Sequence, residues 1–259
     1  MTDFETLLGG IADDGTAYHI AIAEDWLQGR TAYGGLAAAI CVESAMRRFP
    51  GMPPLRSAQF SFVGPAIGTL TARPTMLRQG KSTSFVAVDL SGEAGLATRA
   101  TFCFAAARAS TLHRPAPAAP QVPSWEKSPE FYQSKLANFV DHFEHRMAGG
   151  RRPFEGSEEW AFLIWARHVG AAPASITSLI ALADVLPPAA MVKFKQFVPL
   201  STISWTIDLL TDPPRTEGWW LLSSQADAAV HGYTTQAMAI WDARGKAVAV
   251  GRQSIAIFV

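Results

Sequence analysis

The sequence is poor in charge, and its charges are balanced in sign. Only 17% of its 259 residues are charged, with 22 Lys and Arg against 22 Asp and Glu. A typical soluble domain has about 25% charged residues. Nucleic acids and anionic membrane surfaces bind proteins that carry an excess of positive charge. The neutral balance therefore argues against both as the main partner.

Cysteines and long apolar runs are scarce as well. Two cysteines, Cys41 and Cys103, are too few for a disulfide framework. The longest apolar stretch, around 178–192, is interrupted by Asp184 and by Pro187-Pro188, so no run approaches the ~20 residues of a spanning helix. The first ten residues are acidic and unlike a signal peptide. We expect a soluble, cytoplasmic globular protein without a membrane partner.

Several catalytic motifs are missing from the sequence. It contains no Gly-x-Ser-x-Gly nucleophile elbow, no Gly-x-Gly-x-x-Gly and no phosphate-binding loop. His142 and His145 are three residues apart and would face opposite sides of a strand, and no Cys-x-x-Cys accompanies them. The sequence therefore indicates neither a metal site nor a cofactor.

The sequence does contain an internal repeat around a Pro-rich connector. The stretch AAARASTLHRPAPAAPQVPS favours an extended, semi-rigid segment. We place a linker at 106–129, between an N-terminal unit at 1–105 and a C-terminal unit at 130–259. Each unit shows two short strand-like runs, one apolar helix and four strand-like runs. This order predicts a duplicated α+β unit, and two unrelated α+β domains are the alternative.

The repeated order resembles the hotdog fold, and two copies in one chain resemble the double-hotdog acyl-CoA thioesterase II family. The resemblance implies an α+β double hotdog, with two antiparallel sheets each wrapped around one long apolar helix. It covers most of the chain and depends on the order of its motifs. The matching stretches are Tyr33-Gly34-Gly35, 78–84 (RQGKSTS), Trp165-Ala166-Arg167, Leu182-Ala183-Asp184, 198–205 (VPLSTISW) and Arg252-Gln253-Ser254.

Asp184 is the most informative residue of the second half. It is the only acid of the helix predicted over 173–186, and it lies in the last turn. The macrodipole opposes negative charge at that end of a helix, so helix stability does not explain it. The side chain either faces water or faces inward, where apolar surroundings would raise its pKa and suit it to act as a base.

Gln253 and Thr202 are the polar residues that accompany Asp184. Gln253 lies on a largely apolar strand face and is either a buried amide with a partner or an edge residue. By the resemblance, Asp184, Thr202 and Gln253 are the catalytic acid, hydroxyl and amide, and they hold a water against a thioester carbonyl. The first half has Ser57 and Ala100 at the corresponding places, which implies one active site per chain.

The start of the first helix is a candidate oxyanion site. Gly34 and Gly35 leave backbone N–H groups without a side chain in the way, and such groups can stabilise developing negative charge. A tight entry into a closely packed helix is the alternative interpretation. The resemblance favours Gly35 as the donor. Glu43, the one acid of this helix, is a further candidate base or an ordinary exposed glutamate.

Basic residues near a predicted turn are candidates for binding the phosphates of coenzyme A. Arg78 and Lys81 flank Gly80 there and could also be simply solvated. The sequence offers further options that it cannot rank, namely Arg30, Arg47, Arg48 and Arg56.

The hypothesis that follows is an acyl-CoA thioesterase that uses water activated by Asp184. Its partner is the acyl-CoA substrate, and a homodimer or higher homo-oligomer is an option. Two alternatives remain open: a hydratase acting on enoyl thioesters, and a non-catalytic hotdog protein that binds acyl-CoA or lipid. The Asp–His pair of the hydratases is not found beside Asp184.

Overall fold

The fold is described from a computed structural model of the chain. It covers residues 1–132, 137–211 and 218–259. Within these ranges no helix is long and apolar enough to cross a membrane.

Three α-helices and fourteen strands make up the described structure. The helices are α1 (Phe4–Gly9), α2 (Gly34–Arg48) and α3 (Ile176–Ala183). Short 3₁₀ turns lie at Glu24–Trp26, Trp125–Lys127, Asn138–His142 and Ala189–Lys193. The strands of the first half are β1 (Ala12–Asp13), β2 (Tyr18–Ala21), β3 (Leu27–Gln28), β4 (Thr31–Ala32), β5 (Leu55–Phe62), β6 (Thr69–Gln79), β7 (Thr83–Gly92) and β8 (Gly95–Ala105). The strands of the second half are β9 (Phe143–Gly150), β10 (Ala161–His168), β11 (Leu200–Leu209), β12 (Trp220–Val230), β13 (Tyr233–Asp242) and β14 (Ala247–Ile257).

Twelve strands form one antiparallel sheet in the order β1-β2-β6-β7-β8-β5-β11-β14-β13-β12-β10-β9. Outward from the centre, one half has the strands β5, β8, β7, β6, β2 and β1, and the other has β11, β14, β13, β12, β10 and β9. The two halves thus have the same topology, so the predicted duplication is present in the sheet. The prediction of two separate sheets was wrong, because β5 pairs with β11 and joins the halves. Phe60 of β5 lies opposite Trp205 of β11 at this seam. Pairing there satisfies the backbone groups that two separate sheet edges would have left exposed.

The two longer helices are antiparallel and pack against each other on one face of the sheet. At one end the Tyr33 hydroxyl, just before α2, donates to the carbonyl of Ala181 in α3 at 2.8 Å. At the other end Thr177, in the first turn of α3, donates to Glu43 of α2 at 2.8 Å. The N-terminus of α2 therefore meets the C-terminus of α3.

The helix α2 agrees with its sequence pattern, whereas α3 is shorter than predicted. Arg47 and Arg48 occupy the last turn of α2, where cations are favourable. The prediction of a second long helix over 173–186 was wrong, because α3 has eight residues. Ser175 caps its start by accepting from the Ser178 N–H, so the helix cannot extend further back.

The Pro-rich connector crosses the sheet face opposite the helices. Trp241 donates its indole N–H to the carbonyl of Pro117 at 2.8 Å, and Trp165 donates to Pro123 at 2.9 Å. Trp125 packs on Trp165 and Trp219 with ring centroids 5.7 and 6.3 Å apart. These two hydrogen bonds and the packing of Trp125 hold the segment in place on the C-terminal half of the sheet.

Candidate active site

A cavity of about 630 Å³ opens where the start of α2 meets the end of α3. Its wall is largely apolar, and Asp184 is the only charged side chain among the described residues that line it. The other lining residues include Gly34, Phe62, Met191 and Thr202. A single carboxylate in an apolar cavity is typical of a site built for a particular reaction or ligand.

Asp184 ends α3 and at the same time faces the first turn of α2. It is the C-terminal capping residue of α3, with φ −96° and ψ 6°. A Cβ atom built on Gly34 would lie 2.8 Å from the Asp184 Oδ2 atom, which shows how closely the carboxylate approaches the start of α2. A negative charge at this position is unfavourable at the C-terminus of α3 but favourable at the N-terminus of α2. Of the two orientations open to Asp184, the structure has the inward one.

Three hydrogen bonds connect Asp184 to the backbone through two glutamines. Gln253 Nε2 donates to Asp184 Oδ1 at 2.5 Å, and Gln236 Nε2 donates to Gln253 Oε1 at 2.7 Å. The Ala189 N–H donates to Gln236 Oε1 at 2.8 Å. We call these four groups the amide relay. Both glutamines are buried, at 3% and 0% exposure, and neither belongs to the cavity wall.

The surroundings raise the pKa of Asp184 to about 7. Burial in apolar surroundings is the main cause, because it disfavours the charged form. The hydrogen bond from Gln253 and the backbone N–H of Gly35 act in the opposite direction and favour the carboxylate. The group is thus poised between acid and base at neutral pH.

The raised pKa predicts how stability depends on pH. Folded Asp184 keeps its proton up to about pH 7, whereas the unfolded chain releases it near pH ~3.9. The folded protein binds more protons between these values, so its free energy of unfolding should fall as pH rises through this window. Asp184→Asn lacks this dependence. Thermal melts of both proteins from pH 4.5 to 9 should show the Asn variant gaining relative stability until about pH 7 and then levelling off; a constant difference would contradict the assignment.

Gly34 and Gly35 allow the two helix ends to come this close. A Cβ atom on Gly35 would lie 2.6 Å from the carbonyl oxygen of Ala181 and 2.6 Å from the Tyr33 hydroxyl. Tyr33 is itself held by stacking on Phe139 at 4.0 Å. The Gly35 N–H interacts with Asp184, whereas Gly34 lines the cavity. The assignment of Gly35 as oxyanion donor stays a prediction.

The structure brings together part of the predicted catalytic set. Asp184 and Gln253 are in direct contact. Thr202 lines the same cavity beside a bulge in β11. Within the described part of the chain its hydroxyl forms no hydrogen bond with Asp184 or Gln253. The water-holding roles of Thr202 and Gln253 stay predictions.

Gln236 is the residue that sequence reasoning missed. It shares its strand face with Thr234, Met238 and Ile240, all of them buried. An amide on such a face is the same signal that identified Gln253 on β14. The signal was available in the sequence, but the pairing of the two glutamines across β13 and β14 is seen only in the structure.

The structure does not bring Arg78 and Lys81 to the cavity. Arg78 lies near the end of β6 and Lys81 in the exposed turn that follows, and Thr83, where β7 starts after this turn, pairs with Ala105 of β8. The cavity is lined near the other end of β8, at Thr98. Seven residues of strand separate the two ends, which is roughly 23 Å at about 3.3 Å per residue. The prediction that these two residues bind coenzyme A thus gains no support from their position.

The remaining sequence candidates have other partners. Glu43 accepts from Arg47 and from Thr177, each at 2.8 Å, and it does not line the cavity. Arg48 donates to the carbonyl of Gly15 at 2.8 Å, and Arg56 donates to that of Ala105 at 2.9 Å. Within the described ranges no cluster of three or more His, Cys, Asp or Glu side chains is placed to hold a metal ion.

Two family models match the sequence. Residues 22–105 match the acyl-CoA thioesterase N-terminal domain, and residues 113–257 match the acyl-CoA thioesterase C-terminal domain. A search of curated proteins finds no match.

Solved structures with the same fold are numerous. A protein of unknown function with a hot dog fold from Alicyclobacillus acidocaldarius superimposes with a TM-score of 0.89 at 22% identity, covering 100% of this chain and 99% of that one. A putative thioesterase II from Thermobifida fusca gives 0.84 at 18%, covering 100% and 98%. An acyl-CoA thioesterase II from Mycobacterium marinum gives 0.77 at 16%, covering 97% and 96%. At these identities the likeness establishes the hotdog fold.

Proposed function

The chain belongs to the acyl-CoA thioesterase family, and on that premise we propose that it hydrolyses an acyl-CoA thioester at Asp184. The observation that carries the proposal is a carboxyl group with a pKa of about 7 at the wall of a cavity in which it is the one charged side chain among the described lining residues. A general base is most effective when its pKa lies close to the working pH. The same residue would be a poor base at the pKa of an ordinary aspartate.

The proposed reaction is a direct attack by water. Asp184 accepts a proton from the water while the oxygen of the water bonds to the thioester carbonyl carbon. The carbon–sulfur bond then breaks, and the coenzyme A thiolate takes up a proton, giving a free acid and a thiol. The Thr202 hydroxyl on the same cavity wall would orient the water. Gln253 would act on Asp184 from behind the wall by holding one carboxylate oxygen.

The first turn of α2 would stabilise the oxyanion. Gly34 is the first residue of this helix and lines the cavity. Its N–H has no acceptor within its own helix, as is general for the first turn. Since the Gly35 N–H interacts with Asp184, Gly34 is the better placed of the two glycines to meet the carbonyl oxygen of the substrate.

Arg30 is the proposed phosphate contact for coenzyme A. It lies in the turn between β3 and β4, and its neighbours Gly29 and Thr31 line the cavity. The turn is exposed, and the Arg30 guanidinium forms no hydrogen bond or ion pair with another described residue. An arginine at a cavity mouth can bind phosphate with two parallel hydrogen bonds.

Replacing Arg30 by Gln should raise KM for an acyl-CoA about three- to tenfold and leave kcat unchanged, since a surface charge contact contributes about 1 kcal/mol. KM for the corresponding acyl-pantetheine, which has no nucleotide phosphates, should not change. Steady-state kinetics on both substrates provide the measurement. Arg73→Gln, at an exposed position on β6, is the matched control. A higher KM in Arg78→Gln but not in Arg30→Gln would support the original sequence prediction instead.

A non-catalytic acyl-CoA-binding protein is the alternative function. The apolar cavity would suit it equally well, but the relay that orients Asp184 would then have no purpose. Continuous release of thiol from an acyl-CoA, followed colorimetrically, supports hydrolysis. Saturable binding without thiol release supports the alternative.

A homodimer or higher homo-oligomer remains a separate prediction. Light scattering of the purified chain would test it.

A further inference from the structure

We propose that Gln236 is a positioning residue, which fixes the amide of Gln253 so that its NH₂ group faces Asp184. The inference rests on the proposed function and adds a residue to its site. Gln236 is not part of the cavity wall, so it is not placed to touch a substrate bound there. Its effect on the reaction would pass through Gln253.

The direction of the relay is set by the backbone. Ala189 opens a 3₁₀ turn directly after Pro188, so its N–H has no acceptor within that turn. A backbone N–H can only donate, and the Gln236 side chain must therefore present its oxygen to Ala189. Its NH₂ group then faces Gln253, which must present its oxygen in return. This leaves the NH₂ group of Gln253 for the carboxylate.

A lone Gln253 would lack this constraint. The two ends of a glutamine amide are nearly equal in shape, so an unsupported Gln253 can rotate and present its oxygen to Asp184. Two oxygens with partial or full negative charge would then face each other. That arrangement disfavours the carboxylate and raises its pKa, so a smaller fraction of Asp184 would be ionised and able to accept a proton at neutral pH.

The first half of the chain provides an internal comparison. Gln253 lies opposite Trp205 at the seam, and Ala100 lies opposite Phe60, so Ala100 occupies the equivalent place. Its neighbour on β7 is Val88, where the second half has Gln236. Both amides are thus replaced by apolar side chains in the first half, whose described residues contribute no acid to the wall of the cavity. The two glutamines are present as a pair or absent as a pair.

Two tyrosines are the titratable side chains near Asp184 among the described residues: Tyr33, just before α2, and Tyr132, which lines the same cavity. Burial raises the pKa of both, and the Asp184 charge raises that of Tyr33 further. Both therefore stay neutral over the working range. A change in the titration of Asp184 can therefore be attributed to its hydrogen bonds and its burial.

The test compares Gln236→Met, Gln236→Glu and Gln59→Met. The Met variant keeps the volume but removes both hydrogen bonds, and the Glu variant keeps the oxygen for Ala189 but has no NH₂ group for Gln253. Gln59 is an exposed glutamine on β5 and serves as the matched control. The readout is kcat/KM for an acyl-CoA from pH 5 to 9.

Both Gln236 variants should move the acid limb of the profile about one pH unit upward, since a hydrogen bond to a charged group contributes roughly tenfold or more. At pH 6 this corresponds to about a tenfold loss, whereas the plateau at high pH and KM should change little. Gln59→Met should match the wild type. A uniform loss at every pH, or an unchanged profile in the Gln236 variants, would overturn the proposal.

A double variant separates positioning from general damage. In the Gln253→Met background, adding Gln236→Met should produce no further shift of the acid limb, because the group through which it acts is gone. A second shift of the same size would contradict the relay.

A substrate-free measurement distinguishes failure of the relay from failure of the proposed function. The gain in melting temperature caused by Asp184→Asn reports the titration of Asp184 without any reaction. This gain grows with pH and levels off once Asp184 is fully ionised. In the Gln236→Met background it should level off about one pH unit higher than in the wild-type background, the size expected for a lost hydrogen bond to a charged group. If no acyl-CoA is hydrolysed by the wild type, this shift still tests the relay. If hydrolysis occurs and the shift is absent, only the relay is wrong.

Discussion

Replacing Asp184 by Asn should lower kcat/KM for an acyl-CoA by about 10²- to 10⁴-fold, the range expected when a general base is removed. The amide keeps the shape of the carboxyl group but cannot accept a proton from water. Asn also removes a buried charge, so the variant should be at least as stable as the wild type at pH 8. Steady-state assays and thermal melts on the same preparation would measure both effects.

Glu43→Gln is the matched control for this experiment. Glu43 lies on α2 near the start of α3, much as Asp184 lies near the start of α2, but it pairs with Arg47 and is not among the residues that line the Asp184 cavity. Its loss should change kcat/KM by less than about threefold, as expected for a partly exposed ion pair. Full activity in Asp184→Asn would disprove the mechanism, and a large loss in Glu43→Gln would assign the base to the other acid.

Replacing Gly35 by Ala should destabilise the protein and lower its activity together. The new Cβ atom would overlap the carbonyl of Ala181, which is backbone, and the hydroxyl of Tyr33. Neither can move freely, because that hydroxyl donates to that carbonyl. Overpacking of this kind costs about 1–3 kcal/mol, which corresponds to a fall in melting temperature of roughly 2–6 °C for a chain of this size. Activity should fall because α2 must move away from Asp184.

Gly9→Ala provides the comparison for Gly35→Ala. Gly9 is the last residue of α1, and a Cβ atom there would meet nothing within 4 Å. This variant should retain its activity and its melting temperature, because the only change is a small gain in helix propensity. Equal stability of the two alanine variants would show that the close approach of α2 and α3 is not as tight as the structure has it.

Much of the fold was predictable because strand alternation and the Ala-rich helix are local patterns. The four strands after each helix follow from residues that alternate in character, and their number and order agree with the prediction. The length of α3 was not, because the capping contact of Ser175 and the turn at Asp184 compete with the apolar pattern on either side. The single sheet was missed because the pairing of β5 with β11 joins segments far apart in the chain.

The candidate site shows the same division. The types of its residues were visible, since an acid in an apolar helix and an amide on an apolar strand both stand out against their surroundings. The contacts between these residues were not visible in the sequence. Arg78 and Lys81 are an example, because a basic turn next to a glycine does not indicate how far it lies from a cavity.

The sequence by itself determined the repeated α+β order, the Ala/Pro-rich connector and the chemical types of the acid and the amide, because these depend on neighbouring residues. The tertiary structure alone decided that α2 and α3 run antiparallel, so that the end of one helix meets the start of the other. This placement gives Asp184 a favourable helix dipole, apolar surroundings and an oriented amide at once. No local pattern specifies it, since the groups that set the pKa of Asp184 come from α2, α3 and β14.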